Sequence, residues 1–517
     1  MNLLTAMSIA AVVLGVVTIA YAYIFGKVGQ RDTGADTFSL PLQDSQTALD
    51  EAIAPLEAEY AGQTGLKLLT SNHDAFAVRY ESARLAGRSL DLQYYYWKAD
   101  LTGRLLGWAL IQAADRGVRV RLLIDDINSG GFDSTYLALD SHRNIDVRLF
   151  NPSRSRSSSF RRGIELMAKY FTATRRMHNK CWIADGRLAI IGGRNIADEY
   201  FDASKYSNFR DIDLLAVGQA VRGAETVFDS YWNSDAALPV RSLHKIRRPK
   251  LAKLTAKLGG HLETQLVQTF LRLCEPPLRK LGCFKELNGL HWMSTVEVAA
   301  DPPEKAKSKR RAEWLSLRID ALLQSAKSEI RVTSPYFIPG RAGLETLRRQ
   351  AQDGLHIAIL TNSLAATDVL AVHGAYAKYR RGLAEAGIDL YELQAEDRRR
   401  RTSLFGSKTA SLHTKALVVD GRWGFVGSFN LDPRSVSINT EMGILFDDAG
   451  LSAELRRLFE RQTASDLSFK VTLSGGRLAW EQMENGAPKL QFSEPGSPFR
   501  RIFMAWLIGL LPIESQL

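Results

Sequence analysis

Two stretches of the sequence repeat one set of polar residues at the same spacing. They read RRMHNKCWIADGRLAIIGGRNIADEY (175–200) and SLHTKALVVDGRWGFVGSFN (411–430). In each, a lysine follows a histidine by two positions, an aspartate follows the lysine by five, and an asparagine lies 17 positions after the histidine. The residues are His178, Lys180, Asp185 and Asn195 in the first stretch, and His413, Lys415, Asp420 and Asn430 in the second. One such stretch would be read as structural, whereas two matching copies indicate a shared active site.

Two histidines, two lysines and two asparagines supply the groups that phosphodiester transfer requires. One imidazole can attack phosphorus to form a phosphohistidine, while the other protonates the departing alcohol and later activates the acceptor. Ammonium groups and amides can hold the non-bridging oxygens as charge develops, which is the work of a metal ion in other enzymes. The sequence therefore predicts phosphodiester chemistry with no metal and no cofactor.

The histidine and the lysine of each copy are predicted to lie on a β-strand. Residues two apart on a strand face the same side, so His178 and Lys180 project from one surface, and His413 and Lys415 from another. Apolar residues alternate with them and are suited to packing.

The elements around these residues are duplicated as well. Each half has a strand, a helix that ends at a glycine, and two further strands. The glycines are Gly117 and Gly354. The strands are SLDLQYYYW (89–97), VRVRLLIDD (118–126) and NIDVRLFNP (144–152) in the first half, and SEIRVTSPYFIPG (328–340), LHIAILTNS (355–363) and GIDLYELQA (387–395) in the second. This order predicts βαβ units in mostly parallel sheets, and hence a duplicated α/β fold.

The composition is that of a globular protein with room for two domains. The chain has 517 residues, 45% hydrophobic and 24% charged, and this length exceeds what one hydrophobic core organises. Lysine and arginine total 67 against 56 acidic residues, so the net charge is +11, which favours anionic partners such as lipid headgroups or nucleic acid. Three cysteines without a CxxC motif or zinc spacing indicate neither a disulfide framework nor a metal site.

An uncharged segment of 23 residues extends from Leu3 to Phe25. As a helix it would be about 35 Å long, enough to cross a hydrocarbon core of about 30 Å. A cleaved signal peptide is the alternative, but no lysine or arginine precedes the segment, so an uncleaved anchor is favoured. Lys27 and Arg31 follow the segment and favour a cytoplasmic catalytic region, while the side of the membrane stays open.

The chain is predicted to divide into six segments. They are a transmembrane anchor (1–26), a linker (27–62), a first α/β domain (63–236), a basic connector (237–311), a second α/β domain (312–480) and a C-terminal tail (481–517). The tail contains RRIFMAWLIGLLP (500–512), whose ten consecutive apolar residues are too few to span a bilayer. It is predicted to contact a membrane surface, and a terminal helix docked on the core is the alternative.

The chain resembles the phospholipase D superfamily, in which two HxKxxxxD motifs meet at a pseudo-twofold interface. More narrowly, bacterial cardiolipin synthases, most closely their C type, are similar in DLQYYYW, DLTGRLL, RRMHNK, GGRNIADEYF, TNSLAATDV, GSFNLDPRS and NTEMG. The resemblance covers nearly the whole chain outside the connector. It implies two mostly parallel sheets flanked by helices, with one active site between the halves.

The resemblance also implies a role for each motif residue. His178 and His413 would be nucleophile and general acid/base, in an order that the near symmetry leaves open, although the superfamily's usual pattern favours His178 as nucleophile. The phosphate would be bound by Lys180, Lys415, Asn195, Ser428 and Asn430. The supporting carboxylates would be Asp185 and Asp420 in the turns after the motif strands, and Asp211 and Glu441 beside the imidazoles. Since Gly193 stands where the second copy has Ser428, the halves are predicted to have unequal roles.

The activity implied by the resemblance is that of a membrane-anchored phosphatidyltransferase that makes cardiolipin. The expected substrates are phospholipids, with phosphatidylglycerol first and phosphatidylethanolamine as an alternative, in the inner (cytoplasmic) membrane of a bacterium. With water as acceptor the same residues would give a phospholipase D hydrolase, and with a nucleic-acid strand a nuclease, although a membrane anchor disfavours nucleic acid. A catalytically silent membrane scaffold is disfavoured because both motifs are intact. The need for a protein partner stays open.

Overall fold

The structure of the protein is a computed structural model in which most of the chain after residue 32 is described. The described residues are 33–42, 47–128, 133–152, 175–243, 251–281, 287–306, 313–396, 403–405, 409–484 and 487–517, together with Gly15 and Phe284. Within these residues, no helix has both the length and the apolar character needed to cross a membrane. The predicted anchor from Leu3 to Phe25 lies, apart from Gly15, outside the described residues.

The first half begins with a helix that precedes the first strand. Its elements are α1 (Ala48–Glu59), β1 (Thr64–Leu69), α2 (Asn72–Leu85), β2 (Ser89–Tyr94), α3 (Leu101–Asp115), β3 (Arg119–Asp125), α4 (Asp133–Asp140), β4 (Ile145–Phe150), β5 (Cys181–Ala184), β6 (Leu188–Gly192), β7 (Asn208–Arg210), β8 (Asp213–Gly218) and α5 (Gln219–Trp232).

The connector (237–311) has helices and strands of its own, followed by the second half and the tail. The connector contains β9 (Ala237–Pro239), α6 (Leu251–Leu262), α7 (Gln265–Leu281), β10 (His291–Met293) and β11 (Val296–Ala300). The second half contains α8 (Leu315–Gln324), β12 (Glu329–Thr333), α9 (Gly340–Gln352), β13 (His356–Asn362), α10 (Leu370–Tyr376), α11 (Arg380–Glu385), β14 (Asp389–Leu393), β15 (Ala410–Leu412), β16 (Ala416–Val419), β17 (Trp423–Gly427), α12 (Pro433–Ser437), β18 (Met442–Asp447) and α13 (Ala449–Gln462). It is followed by β19 (Ser468–Ser474), β20 (Arg477–Glu484), β21 (Ala487–Gln491) and α14 (Phe499–Gly509).

The predicted helix between the first two repeated strands is present in both halves. Helix α3 begins after Asp100, whose carboxylate accepts from the backbone N–H of Gly103 at 3.1 Å. Gly117 and Gly354 follow the ends of α3 and α9 with φ of 99° and 94°. This left-handed backbone favours glycine over residues with a side chain, so both predicted helix ends are confirmed.

The described strands form two large sheets whose central strands follow the same order. The orders are β10-β1-β8-β6-β5-β2-β3-β4-β9 and β11-β18-β17-β16-β12-β13-β14-β19-β20-β21. The run from β8 to β4 in the first sheet matches the run from β18 to β14 in the second, which confirms the duplication predicted from the sequence.

Both sheets are mixed, so the expectation of mostly parallel sheets is wrong. Among the described strands, β2, β3 and β4 pair in parallel, as do β12, β13 and β14. These are the strands joined by helices, because a crossover helix returns the chain to the same edge of the sheet. The motif strands instead form hairpins, β5 with β6 and β16 with β17, and a hairpin pairs antiparallel.

The two sheets pack against each other through the strands that carry the motifs. One cluster of buried apolar side chains contains Ile183 and Ile191 from the first sheet and Val418, Val426 and Ile444 from the second. A small parallel sheet of β7 and β15 also joins the halves. The connector adds β10 to the first sheet and β11 to the second. Burial between the halves therefore fixes the positions of the strands that lead to the two histidines.

Candidate active site

The prediction that each histidine and lysine lies on a strand is wrong, because His178 and Lys180 precede β5 and His413 and Lys415 lie between β15 and β16.

His178 lies just before β5, and residues of the second half hold it in place. Its backbone N–H donates to the carbonyl oxygen of Thr440 at 2.8 Å. Its Nδ1 lies 2.9 Å from Oε2 of Glu441 and 3.2 Å from the carbonyl oxygen of Ser428. The ring of Tyr95 meets the imidazole edge-on, with 5.0 Å between the ring centres.

His413 lies just after β15 and is held in a matching way by the first half. Its backbone N–H donates to the carbonyl oxygen of Arg210 at 2.8 Å. Its Nδ1 lies 2.6 Å from Oδ2 of Asp211, and its Nε2 lies 3.4 Å from the hydroxyl of Tyr200. The rings of Tyr200 and Phe209 contact the imidazole at 5.1 and 5.0 Å between ring centres.

The two histidine–carboxylate pairs cross between the halves. Glu441 of the second half binds His178, and Asp211 of the first half binds His413. Both carboxylates are almost fully buried, with 0% and 2% of their surface exposed. Neither pair could form within one half alone, so the site requires the two halves to be joined.

The hydrogen bonds fix which ring nitrogen of each histidine carries the proton. An ionised carboxylate accepts only, so Nδ1 of His178 donates to Glu441 and Nδ1 of His413 donates to Asp211. Nζ of Lys415 lies 3.1 Å from the same Nδ1 of His413. Since that nitrogen already bears a proton for the shorter bond to Asp211, the contact with the ammonium is a close approach and not a hydrogen bond. Each neutral imidazole therefore keeps its Nε2 lone pair for chemistry.

The two lysines are buried beside the histidines, each with 1% of its surface exposed. Nζ of Lys180 donates to the carbonyl oxygen of His178 at 2.6 Å, and Nζ of Lys415 donates to that of His413 at 2.5 Å. Burial lowers the pKa of Lys180 well below its usual value and the pKa of Lys415 to about 8. A bound phosphodiester would return negative charge to the site and favour both ammonium forms.

Burial and positive charge keep both imidazoles neutral before substrate binds. Burial lowers the pKa of His178 to about 4, although Glu441 opposes the change. Burial, followed by the charges of Lys415 and Lys180, lowers the pKa of His413 well below its usual value. A phosphodiester between the lysines would offset this charge, so protonation of one imidazole is favoured once substrate is bound.

The carboxylates of Asp211 and Glu441 differ in how strongly their surroundings stabilise the ionised form. Burial raises the pKa of Asp211 to about 6, partly offset by Lys415. Burial also disfavours the ionised form of Glu441, yet His178 and further hydrogen bonds lower its pKa overall. The reason is that Glu441 accepts the hydroxyls of Ser428 at 2.5 Å and Ser435 at 2.9 Å in addition to the imidazole.

The hydroxyl of Ser428 contacts Glu441, and phosphate would have to displace this bond. The side chain is fully buried, with 0% of its surface exposed, and also accepts from the backbone N–H of Met442 at 3.0 Å. A side chain at Gly193 would lie 2.3 Å from Oδ1 of Asp211. The predicted difference between Gly193 and Ser428 therefore has a steric reason. Asp211 lies so close to Gly193 that no side chain fits there, whereas in the other copy the hydroxyl of Ser428 binds Glu441.

Asn195 and Asn430 occupy matching places and each keeps a buried oxygen without a hydrogen-bond partner in the described part of the chain. Nδ2 of Asn195 donates to the hydroxyl of Tyr200 at 3.0 Å. The backbone N–H of Asn430 donates to Oγ of Ser435 at 3.3 Å. Such amides can reorient to donate to phosphate oxygens, so their role as phosphate ligands stays a prediction.

Asp185 and Asp420 tie the motif turns to the strands β2 and β12. Both have left-handed backbone, with φ of 53° and 52°, which aspartate tolerates better than most residues. The Asp185 carboxylate accepts from the backbone N–H groups of Gly87, Arg88 and Ser89. Asp420 accepts from those of three residues, 327, 328 and 329. Both contacts lie away from the imidazoles, so they support the turn and not the chemistry.

We expect Asp185→Asn to destabilise the protein by about 3 kcal/mol, because a fully buried carboxylate that accepts from three backbone N–H groups is lost. Asp420→Asn should cost about half as much, since that carboxylate is more exposed and water can replace it. Urea unfolding of both variants checks the difference. Equal midpoints for the two variants would contradict it.

Several residues of the site were not identified from the sequence. Tyr95, Tyr200 and Phe209 contact the imidazoles. The backbone N–H of Glu441 donates at 2.9 Å to Asp301, which forms a fully buried ion pair at 2.8 Å with Lys305 of the connector. Tyr200 lies at the end of the first repeated stretch, 22 positions after His178, and could have been noted there. Its contact with the histidine of the other half follows only from tertiary structure.

The arrangement offers one imidazole for attack on phosphorus and another for proton transfer, with a buried lysine beside each of them. Within the described ranges, no group of three or more histidine, cysteine, aspartate or glutamate side chains could hold a metal ion. Two α/β halves that share one such site define a phospholipase D-like protein.

Comparisons with known proteins agree with this class. A family model described as "Cardiolipin synthase, PLD-like domain" matches residues 81–232 and 319–463. Cardiolipin synthase C of Escherichia coli is 37% identical over 473 residues, covering 90% of this chain and 99% of that protein. An uncharacterized protein of Helicobacter pylori is 32% identical over 485 residues, covering 91% and 94%. The crystal structure of phosphatidylserine synthase from Haemophilus influenzae covers 90% of this chain and 99% of that one with a TM-score of 0.56 and 13% identity, which shows the fold alone.

Each of the two matched ranges falls within one half of the fold. The chain therefore belongs to the cardiolipin synthase family of phospholipase D-like domains.

Proposed function

We propose that the protein is a phosphatidyltransferase that makes cardiolipin through a phosphohistidine intermediate. The observation that carries the proposal is the pair of buried imidazoles, each oriented by a carboxylate of the other half and accompanied by a buried lysine. Membership of the cardiolipin synthase family supports a lipid phosphodiester as the substrate.

In the first half-reaction, Nε2 of one imidazole attacks phosphorus of the donor phospholipid. A nitrogen–phosphorus bond forms, the bond from phosphorus to the headgroup oxygen breaks, and the other imidazole gives its proton to that oxygen. In the second half-reaction, this imidazole takes a proton from the acceptor hydroxyl. The acceptor oxygen then bonds to phosphorus and the nitrogen–phosphorus bond breaks. Lys180 and Lys415 stabilise the charge on the non-bridging oxygens in both steps.

Phosphatidylglycerol is the substrate we favour as both donor and acceptor, with glycerol as the group released. Phosphatidylethanolamine as donor would release ethanolamine instead. If water were the acceptor, the same steps would give phosphatidic acid.

The proposed test gives the full chain mixed micelles of phosphatidylglycerol and phosphatidylethanolamine and follows the products by lipid mass spectrometry. We expect cardiolipin from the wild type and none above background from His178→Ala. Phosphatidic acid without cardiolipin from the wild type would mean a hydrolase and reject the transferase.

We also propose that the enzyme is held at a bacterial inner membrane by the predicted anchor (1–26) and by the tail helix α14. Close contacts dock α14 on α10, where a Cβ on Gly374 would lie 2.4 Å from the carbonyl oxygen of Ala505. Arg501 donates to the carbonyl oxygens of Leu364 and Thr367 at 2.8 and 2.6 Å. Burial lowers the pKa of Lys415 to about 8, and the charge of Asp368, next to Thr367, is among those that partly offset this, so α14 is attached to a loop beside the active site.

The side of α14 that faces away from α10 exposes large apolar side chains. Phe499 and Trp506 are 77% and 59% exposed, and Leu510, next after the helix, is 65% exposed. Aromatic and aliphatic side chains on one face of a helix bind at the boundary of headgroups and acyl chains. This favours membrane contact by the docked helix, a combination of the two alternatives predicted from the sequence.

Substitution of the exposed apolar side chains of α14 is predicted to weaken vesicle binding. In a chain without the predicted anchor (1–26), we expect Phe499→Ser/Trp506→Ser to weaken binding to phosphatidylglycerol vesicles about tenfold, because two apolar side chains that would enter the bilayer boundary are lost. The matched control, Met483→Ser/Leu490→Ser, removes two side chains that are 42% and 41% exposed on β20 and β21. Co-sedimentation should show the control unchanged, and equal loss in both would reject the role of α14.

A further inference from the structure

The hydroxyl of Tyr200 lies at a reacting atom, and the mechanism above does not use it. It is 3.4 Å from Nε2 of His413, the nitrogen that does not face Asp211. The two rings meet edge-on at 86°, and only 2% of the surface of Tyr200 is exposed. The phenol hydroxyl therefore occupies the position from which His413, as general base, would take a proton from an acceptor hydroxyl.

Two more polar groups fix this hydroxyl. Nδ2 of Asn195 donates to it at 3.0 Å, and the hydroxyl of Tyr96 lies 3.2 Å away. Tyr96 also lies 3.1 Å from the Glu199 carboxylate, which accepts only, so the single proton of Tyr96 goes to Glu199. The proton of Tyr200 is then directed to Nε2 of His413 or to the oxygen of Tyr96. Burial raises the pKa of Tyr200 well above its usual value, so the phenol keeps this proton.

The second half has no phenol at the matching position. Ser435 follows His413 by the same 22 residues as Tyr200 follows His178. Its hydroxyl donates to Oε1 of Glu441 at 2.9 Å, behind the imidazole of His178. A departure from the twofold pattern at a reacting nitrogen is expected where the two histidines do different work.

We propose that Tyr200 selects the acceptor by occupying, beside Nε2 of His413, the place that a water molecule would otherwise take. This rests on the proposed function and places His413 on the acceptor side, with His178 bearing the phosphatidyl group. A lipid acceptor is held by its other contacts and can displace the long hydrogen bond of the phenol. Water has no such contacts and gains nothing by the exchange.

Removing the hydroxyl should create a water site. In Tyr200→Phe the vacated position is bordered by Nε2 of His413, Nδ2 of Asn195 and the hydroxyl of Tyr96. Three polar partners are enough to hold a buried water, and His413 would take a proton from it. The water oxygen would bond to phosphorus as the nitrogen–phosphorus bond breaks, and the product would be phosphatidic acid.

The test measures the ratio of phosphatidic acid to cardiolipin formed from phosphatidylglycerol micelles in ¹⁸O-labelled water. We expect Tyr200→Phe to raise this ratio about tenfold, while the summed rate of both products falls by less than about threefold. One labelled oxygen per phosphatidic acid molecule would identify water as the attacking group. Tyr96→Phe, which removes one neighbour of the phenol, should shift the ratio in the same direction by a smaller factor.

The control Tyr80→Phe removes the hydroxyl of a half-buried tyrosine stacked on Phe76 at 5.8 Å, outside the site. Its ratio should equal that of the wild type. An unchanged ratio in both Tyr200→Phe and Tyr96→Phe would overturn the proposal, as would a loss of both products in equal proportion. If the wild type itself made only phosphatidic acid, the proposed transferase function would fail first, and the two failures are thereby distinguished.

Discussion

Cardiolipin formation is expected to fall by about 10⁴-fold in His178→Ala and in His413→Ala, because each variant removes one of the two groups that make and break bonds at phosphorus. The two losses should not add in the double variant, since the imidazoles act in one sequence of steps. Initial rates from lipid mass spectrometry check both statements. His356→Ala is the control, because this imidazole is 54% exposed and pairs with Asp389 at 3.0 Å, away from the site.

The same variants decide which histidine is the nucleophile. With a donor lipid labelled in its phosphatidyl part, rapid denaturation in detergent should retain label on the variant that keeps the nucleophile. The other variant should carry none. The acceptor role inferred for His413 predicts label on His413→Ala and none on His178→Ala. Label on both variants would reject the assignment of a single nucleophile, and label on neither would contradict the phosphohistidine mechanism.

Lys180→Met and Lys415→Met should each lower kcat/KM by about 10²- to 10³-fold, because charge that develops on the non-bridging oxygens loses a buried ammonium partner. Methionine keeps most of the length and apolar stem of lysine, so the fold should persist. Lys378→Met is the matched control, since its Nζ is 3.6 Å from Glu514 and its side chain is 41% exposed. A loss of less than about fivefold in both site variants would contradict the assignment.

The lysines also predict the alkaline side of the pH profile. Burial lowers the pKa of Lys415 to about 8, so its ammonium form is lost as the pH rises through that value. We expect kcat/KM to decline above about pH 8. In kcat the decline should begin at higher pH, because bound phosphate favours the ammonium. Lys415→Arg keeps its charge throughout this range and should shift the decline in kcat/KM to higher pH. A profile identical to that of the wild type would assign the decline to another group.

The candidate residues of the site could be predicted from the sequence because they occur at short, repeated spacings. The two-residue spacing correctly groups His178 with Lys180 and His413 with Lys415, although both pairs lie in the segments just before β5 and β16 and not on the strands themselves. The two βαβ units were equally predictable, since a strand, a helix ending in glycine and a second strand are local signals. Both helices end before the predicted glycines, Gly117 and Gly354.

The direction of the remaining strands was not predictable in the same way. The prediction of mostly parallel sheets rested on the βαβ units alone, whereas the short connection of β5 to β6 forms a hairpin, which pairs antiparallel. The connector was predicted as a separate segment, yet it adds strands to both sheets and places Asp301 and Lys305 behind Glu441.

The sequence by itself determined which residues are the candidates for the chemistry and that they occur twice. Tertiary structure alone decided which carboxylate serves which histidine, because Glu441 follows His413 by 28 residues and yet binds His178, which lies 263 residues before it. It also decided that Tyr200 meets His413 and not the histidine of its own half. Spacing along a chain fixes neighbours within a strand or a turn, whereas partners across the interface depend on how the buried apolar faces of two sheets pack together.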